Sequence, residues 1–134
     1  MIIKYLILTL FISAQADDRT DATHVAHAAD AGSTVAAILT TGATELNPLA
    51  LPMLPISIYI TERERGKCSH LQAAFQAGRW GATANNLIVI AGGFPWSLAA
   101  IPIVSTYVWR REKQKVLDCK VQSLKQILSD PSLM

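Results

Sequence analysis

His24, His27 and Asp30 stand at three-residue intervals in an alanine-rich stretch, and Thr34 continues the line. On a helix this spacing lays them along one slanted stripe. Two imidazoles and a carboxylate can bind a divalent transition metal or pass protons. The plainer reading is a polar face that is exposed or hydrogen-bonded to a neighbouring helix. His70, the remaining histidine, is far along the chain. Glu45 stands alone between two apolar segments. A carboxylate in apolar surroundings pairs or serves a path, but this one precedes a helix start, where a negative charge suits the helix dipole. Asn85 and Asn86 interrupt an apolar run. Their amides either join helices, at ~0.6 kcal/mol each in lipid, or line a polar path.

The sequence carries no GxSxG, no glycine-rich phosphate loop and no HExxH, so no enzyme class and no cofactor is expected. The net charge of +2 gives no reason to expect nucleic acid. Cys68 and Cys119 lie in basic segments and match no zinc spacing. If those segments are cytoplasmic the thiols stay reduced; a disulfide is the alternative.

The elements that would position these groups follow from punctuation and periodicity. Met1–Ala16 reads as an export leader or N-terminal anchor. Lys4 comes first, then an apolar run, then Ala14-Gln15-Ala16 as a cleavage signal. Ala22–Thr41 reads as one helix stopped by Gly42. Asn47 suits a helix N-cap and Pro48 the first helical position. Leu46–Ile60 follows, with kinks expected at Pro52 and Pro55, and then a charged loop from Thr61 to Lys67. His70–Gly92 reads as a long helix rich in small residues. Ala74/Gly78 and Ala77/Gly81 have the four-residue spacing that lets helices approach closely. Gly92-Gly93-Phe94-Pro95 breaks it. Trp96–Trp109 is the last apolar segment, with a kink expected at Pro102. Beyond Arg110, Val116, Leu117, Val121, Leu124, Ile127 and Leu128 fall within about 140° of helical arc. Lys113 and Lys120 lie within that arc, able to snorkel. Such a tail lies on a membrane surface or pairs with another helix.

Composition points the same way. Only 16% of the 134 residues are charged, against about 25% in soluble domains. Residues 32–60 carry one charge, Glu45, and residues 80–109 carry none. These features predict an all-α fold, a small membrane bundle of three to four apolar helices with an amphipathic C-terminal helix. They divide the chain into a leader (1–16), a helical membrane domain (17–109) and a basic tail (110–134). The basic clusters, Arg63, Arg65, Lys67 and Arg79 and then Arg110–Lys125, flank apolar segments and predict a multi-pass inner-membrane protein with a cytoplasmic C-terminus. With an exported N-terminus, that orientation needs a single crossing between Asp17 and Thr61.

The run from Asp30 to Thr34, followed by Gly42-Ala-Thr-Glu45-Leu-Asn47-Pro48-Leu49, resembles a family of small polytopic membrane proteins of bacteria and their phages. The family's mark is D-x3-T on the first helix, then G-x2-E-x-N-P-L at the turn into the second. The resemblance covers residues 30–49 and carries no activity. It implies a compact bundle with Asp30, Thr34, Glu45 and Asn47 near one another. Helix geometry limits this, since Asp30 would lie ~18 Å from Gly42. The partner expected for Asp30 is therefore Asn85, Asn86 or His70, on a later helix. Together these residues form a candidate intramembrane polar network.

Three functions remain open on this reading. The first is helix–helix assembly with a second copy or a partner in the bilayer. The second is a small channel, transporter or holin-like pore. The third is metal binding by His24, His27 and Asp30.

Overall fold

The computed structural model describes residues 19–42 and 52–129. The leader at 1–16, Glu45, Asn47 and Pro48 lie outside the described residues. Among the described residues four helices follow one another: α1 (Arg19–Thr41), α2 (Leu54–Arg63), α3 (His70–Ile90) and α4 (Ser97–Ser129).

Their limits are chemical. Gly42, with φ +67°, stops α1 in the left-handed conformation that glycine tolerates without a Cβ clash. Pro55 sits in the first turn of α2, where its missing N–H costs nothing, so it starts this helix instead of kinking it. Helix α2 also runs on to Arg63, into the stretch expected to be a charged loop. The Ser69 hydroxyl caps α3 by accepting from the backbone N–H groups of Leu71 and Gln72. The last apolar segment and the amphipathic tail are one helix of 33 residues, with Pro102 inside its second turn.

Cross-helix contacts give the topology. His24 and His27 of α1 meet Glu62 and Thr61 of α2, so the order reverses and the two helices are antiparallel. Thr20, Thr23 and Ser33 of α1 meet Gln72, Gln76 and Asn86 of α3, so these two run parallel. Helix α4 returns antiparallel to α3. Gly81 lies against Ile101 and Ser105, and a disulfide joins Cys68, just before α3, to Cys119 in α4. The cysteines are therefore bonded to each other, not reduced.

No described helix is long and apolar enough to cross a membrane, which overturns the multi-pass inner-membrane placement read from composition. The physical reason is how the uncharged runs are divided. Residues 80–109 are split between α3 and α4 at the Gly92–Pro95 break, and α1 ends well before residue 60. Helix α2 has ten residues, about 15 Å, half of the hydrocarbon thickness. Helix α1 carries polar side chains on every turn from Thr20 to Thr34, and α3 from Gln72 to Asn86. Helix α4 passes from its apolar start into the charges at Arg110.

The described interior is largely polar, and many large hydrophobic side chains lie on the surface. Among the described residues, fifteen buried positions are polar or charged and nine are hydrophobic, while nineteen large hydrophobic side chains are exposed. The hydrophobic core is small: Ala26, Ala77, Trp80 and Val108. Most of what lies between the helices is hydrogen-bonding chemistry.

Candidate functional site: a polar seam between three helices

Two helices contribute polar residues at alternating three- and four-residue steps. On α1 these are Thr20, Thr23, His27, Asp30 and Thr34; on α3 they are Gln72, Gln76, Arg79, Thr83 and Asn86. This is the spacing of a coiled-coil seam, a position normally given to apolar side chains. Here it buries hydrogen-bonding groups, which is tolerable only when each finds a partner.

Helix α3 supplies the donors. Gln72 Nε2 donates to Thr20 Oγ1 at 3.0 Å and to the Thr61 carbonyl at 3.1 Å. Gln76 Nε2 donates to Thr23 Oγ1 at 3.1 Å. Asn86 Nδ2 donates to Thr34 Oγ1 at 2.9 Å and Ser33 Oγ at 3.1 Å. Arg79 binds both other helices, with Nη1 2.6 Å from Asp30 Oδ2 and Nη2 donating to Ser57 Oγ at 3.1 Å. The hydroxyls accept across the seam and donate back along their own helices. Thr23 donates to the Arg19 carbonyl, Ser33 to that of Asp30, Ser57 to that of Met53 and Thr61 to that of Ser57. Such back-bonding fixes each hydroxyl proton and turns the lone pairs toward the next helix.

His27 sits at the centre. Its Nε2 lies 3.0 Å from Thr61 Oγ1. Thr61 has one hydroxyl proton, directed to the Ser57 carbonyl, so Nε2 must be the donor and Nδ1 carries the lone pair. That Nδ1 is buried without a hydrogen-bond partner. Burial, then the nearby positive Arg79, then His24, push the imidazole down to about 4, so it is neutral at physiological pH. Burial pushes the Asp30 carboxyl up, opposed by its hydrogen bond to Arg79 and by that residue's charge.

At the solvent edge the groups are conventional. His24 Nε2 lies 2.5 Å from Glu62 Oε1, and Arg65 grips both oxygens of Glu62 at 2.8 Å. Arg65, then His24, hold Glu62 down at about 2. On α4, Glu112 is buried and paired with Lys115 at 2.8 Å.

The expected network is thus redistributed. Thr34 and Asn86 meet directly, and Asp30 lies in the same seam. Asp30 finds Arg79, not Asn85, Asn86 or His70. Asn85 is buried but reaches only Asn86, at 3.5 Å. His70 is exposed and lies 3.2 Å from Lys120 on α4. Sequence reading missed Gln72, Gln76 and Arg79. The signal was there: their four- and three-residue spacing matches that of the polar stripe on α1. Arg79 was instead grouped with the basic flanks. His24, His27 and Asp30 each take a different partner, and among the described residues no group of three or more metal-ligating side chains stands together.

Chemically the seam is closed. The hydroxyl protons of Thr23, Ser33, Ser57 and Thr61 are held by main-chain carbonyls, and His27 offers its lone pair to none of them. A base poised to deprotonate a hydroxyl needs that hydrogen bond. What the arrangement does well is fix register. Donors on α3 meet acceptors on α1 and α2 at one alignment, and a slip of one turn would strand them.

No protein family, no curated protein and no solved structure matches this sequence.

Proposed function

We propose that this protein is a non-enzymatic assembly module whose rigid helical body presents apolar helix faces to a second copy or to a partner chain. The observation that carries this reading is the inversion of polarity: nineteen large hydrophobics exposed around a hydrogen-bonded interior. Exposed large hydrophobics clustered on one helix face, as at Leu117, Val121, Leu124 and Leu128, are a feature of interaction sites. The seam supports the reading by making the body a defined shape. The Cys68–Cys119 bridge supports placing the protein in an oxidising compartment, in keeping with the leader expected at residues 1–16. A pore reading draws nothing from the seam, whose members bond one another.

Cross-linking in intact cells that express the chain tests this. A discrete adduct of two or more chains is the expected result. A single species at the monomer mass under all cross-linker doses would overturn it.

A further inference from the structure

Among the described residues, the last third of α4 is little covered by the rest. Its last ten residues, 120–129, are all exposed. Within 117–128 four of the five large apolar side chains fall on one line, and the fifth, Ile127, flanks it. Leu117, Val121, Leu124 and Leu128 are spaced four, three and four apart, and all are exposed by 43% or more. This is the alternation of a two-stranded coiled-coil seam, with Leu117 and Leu124 at d and Val121 and Leu128 at a. The residues by which α4 packs on the body are Val108, Glu112 and Val116. At 100° per residue the apolar line lies about 150° around the helix from them. Cys119 falls on the body side. The disulfide therefore anchors the helix with its apolar line facing outward.

Resting on the assembly reading, we infer that this line is a homodimer seam, and that its occupant is α4 of a second copy running antiparallel. Charge selects both the partner and the direction. In an antiparallel pair centred between Val121 and Leu124, Val121 meets the second copy's Leu124, and Leu117 its Leu128. The flanking positions then pair e with e and g with g. Asp118 falls beside Lys125 of the other copy, twice by symmetry, and the Lys120 stem lies along Ile127. A parallel pair would set Lys120 against Lys125, twice, leaving Lys113–Asp118 as the attractive contact. It would also continue the d position to Arg110 and place that cation against itself. The antiparallel arrangement leaves Arg110 beyond the overlap and carries the two bodies to opposite ends, so neither obstructs the other. Two heptads is a short seam, but the helix is already formed and held by the disulfide, which removes much of the ordering cost of association.

Sedimentation equilibrium of the full chain, oxidised, tests the inference with four variants. Wild type is a dimer and Leu124→Asp a monomer with an unchanged helical signal, since Leu124 touches no core. Asp118→Lys and Lys125→Asp each weaken the dimer about tenfold, because two attractive exposed pairs become repulsive. The double reversal restores it to within about twofold. If Lys125→Asp tightens the dimer, the strands are parallel and the inference falls. A dimer indifferent to Leu124→Asp uses another surface; the inference falls while the assembly reading stands. A monomeric chain that instead sediments with anionic phospholipid vesicles, and loses this in Leu124→Asp, identifies a lipid surface and overturns the homodimer. A monomer that binds no vesicle and gives no cross-linked adduct in cells removes both readings.

Discussion

At the scale of single residues, two groups hold the energetics of the seam. Arg79 and Asp30 are a buried pair, with side chains 15% and 7% exposed. Breaking such a pair leaves an uncompensated charge inside, at a cost of about 3–5 kcal/mol, whereas removing both partners costs much less. Arg79→Met should therefore lower stability by roughly 3 kcal/mol, and adding Asp30→Leu should recover a good part of that; urea unfolding of the three variants measures it. Losses that simply add would mean the pair is not coupled. His27 gives a pH signature. Its folded-state value of about 4 lies below the unfolded 6.5. Between those values the unfolded chain takes up a proton that the folded chain refuses, so stability falls as pH drops through 6.5 toward 4 and is fully present above that window. Asp30, shifted upward, acts in the opposite direction, so the His27 contribution must be read by difference. Glutamine at position 27 can still donate to Thr61 but cannot titrate. His27→Gln should flatten the decline between pH 7 and pH 4.5 relative to wild type, and parallel profiles for the two proteins would contradict the buried neutral imidazole.

At the scale of helices, the closest approach is at Gly81. A methyl group there would overlap the Ser105 hydroxyl and sit 3.0 Å from the Ile101 carbonyl oxygen, so α3 and α4 must separate to admit it. Gly78, one turn earlier, has open space around it. Gly81→Ala should cost about 1–3 kcal/mol from overpacking, while Gly78→Ala should be neutral or gain up to about 1 kcal/mol of helix propensity. Thermal melts of the two variants separate them. The two small-residue pairs read from sequence thus differ: Ala77 and Gly81 are buried within the chain, whereas Ala74 and Gly78 remain exposed. Much of the element structure was legible, because Gly42, the Gly92–Pro95 break and the run of small residues are local signals. The stripe from His24 to Thr34 was legible too, through its spacing. What sequence could not supply was the sense of burial. Polar residues at heptad spacing look like a solvated face unless the facing helix carries the matching donors. Gln72, Gln76 and Arg79 acquire meaning only when α3 is laid parallel to α1. The disulfide was obscured for a similar reason. Cys68 and Cys119 are 51 residues apart, and only the antiparallel return of α4 brings them together.

At the scale of the whole molecule, the described residues offer little hydrophobic core: nine buried apolar side chains, six of them alanine, of which four form one cluster. Covalent and polar terms carry more of the load than usual. The bridge closes a loop of 51 residues, and its chain-entropy contribution is about 4 kcal/mol. Reduction should shift the urea midpoint of the monomeric body sharply downward, as should Cys119→Ser; an unchanged midpoint would show that the α3–α4 contact suffices alone. On the assembly reading proposed above, the exposed apolar side chains are covered by another helix. Residues 117–128 make the most direct probe, since among the described residues the segment is held to the body on one side, through Cys119, Lys120 and Ser123, while Leu117, Val121, Leu124 and Leu128 are exposed on the other. Hydrogen exchange of the full chain at high and low concentration reads this at once. Slow exchange of amides 117–128 in the concentrated protein, turning fast on dilution and fast at every concentration in Leu124→Asp, is the predicted result. Fast exchange of this segment in the wild type at all concentrations would contradict the α4 seam, and fast exchange with no other segment protected on concentration would contradict the assembly account as a whole.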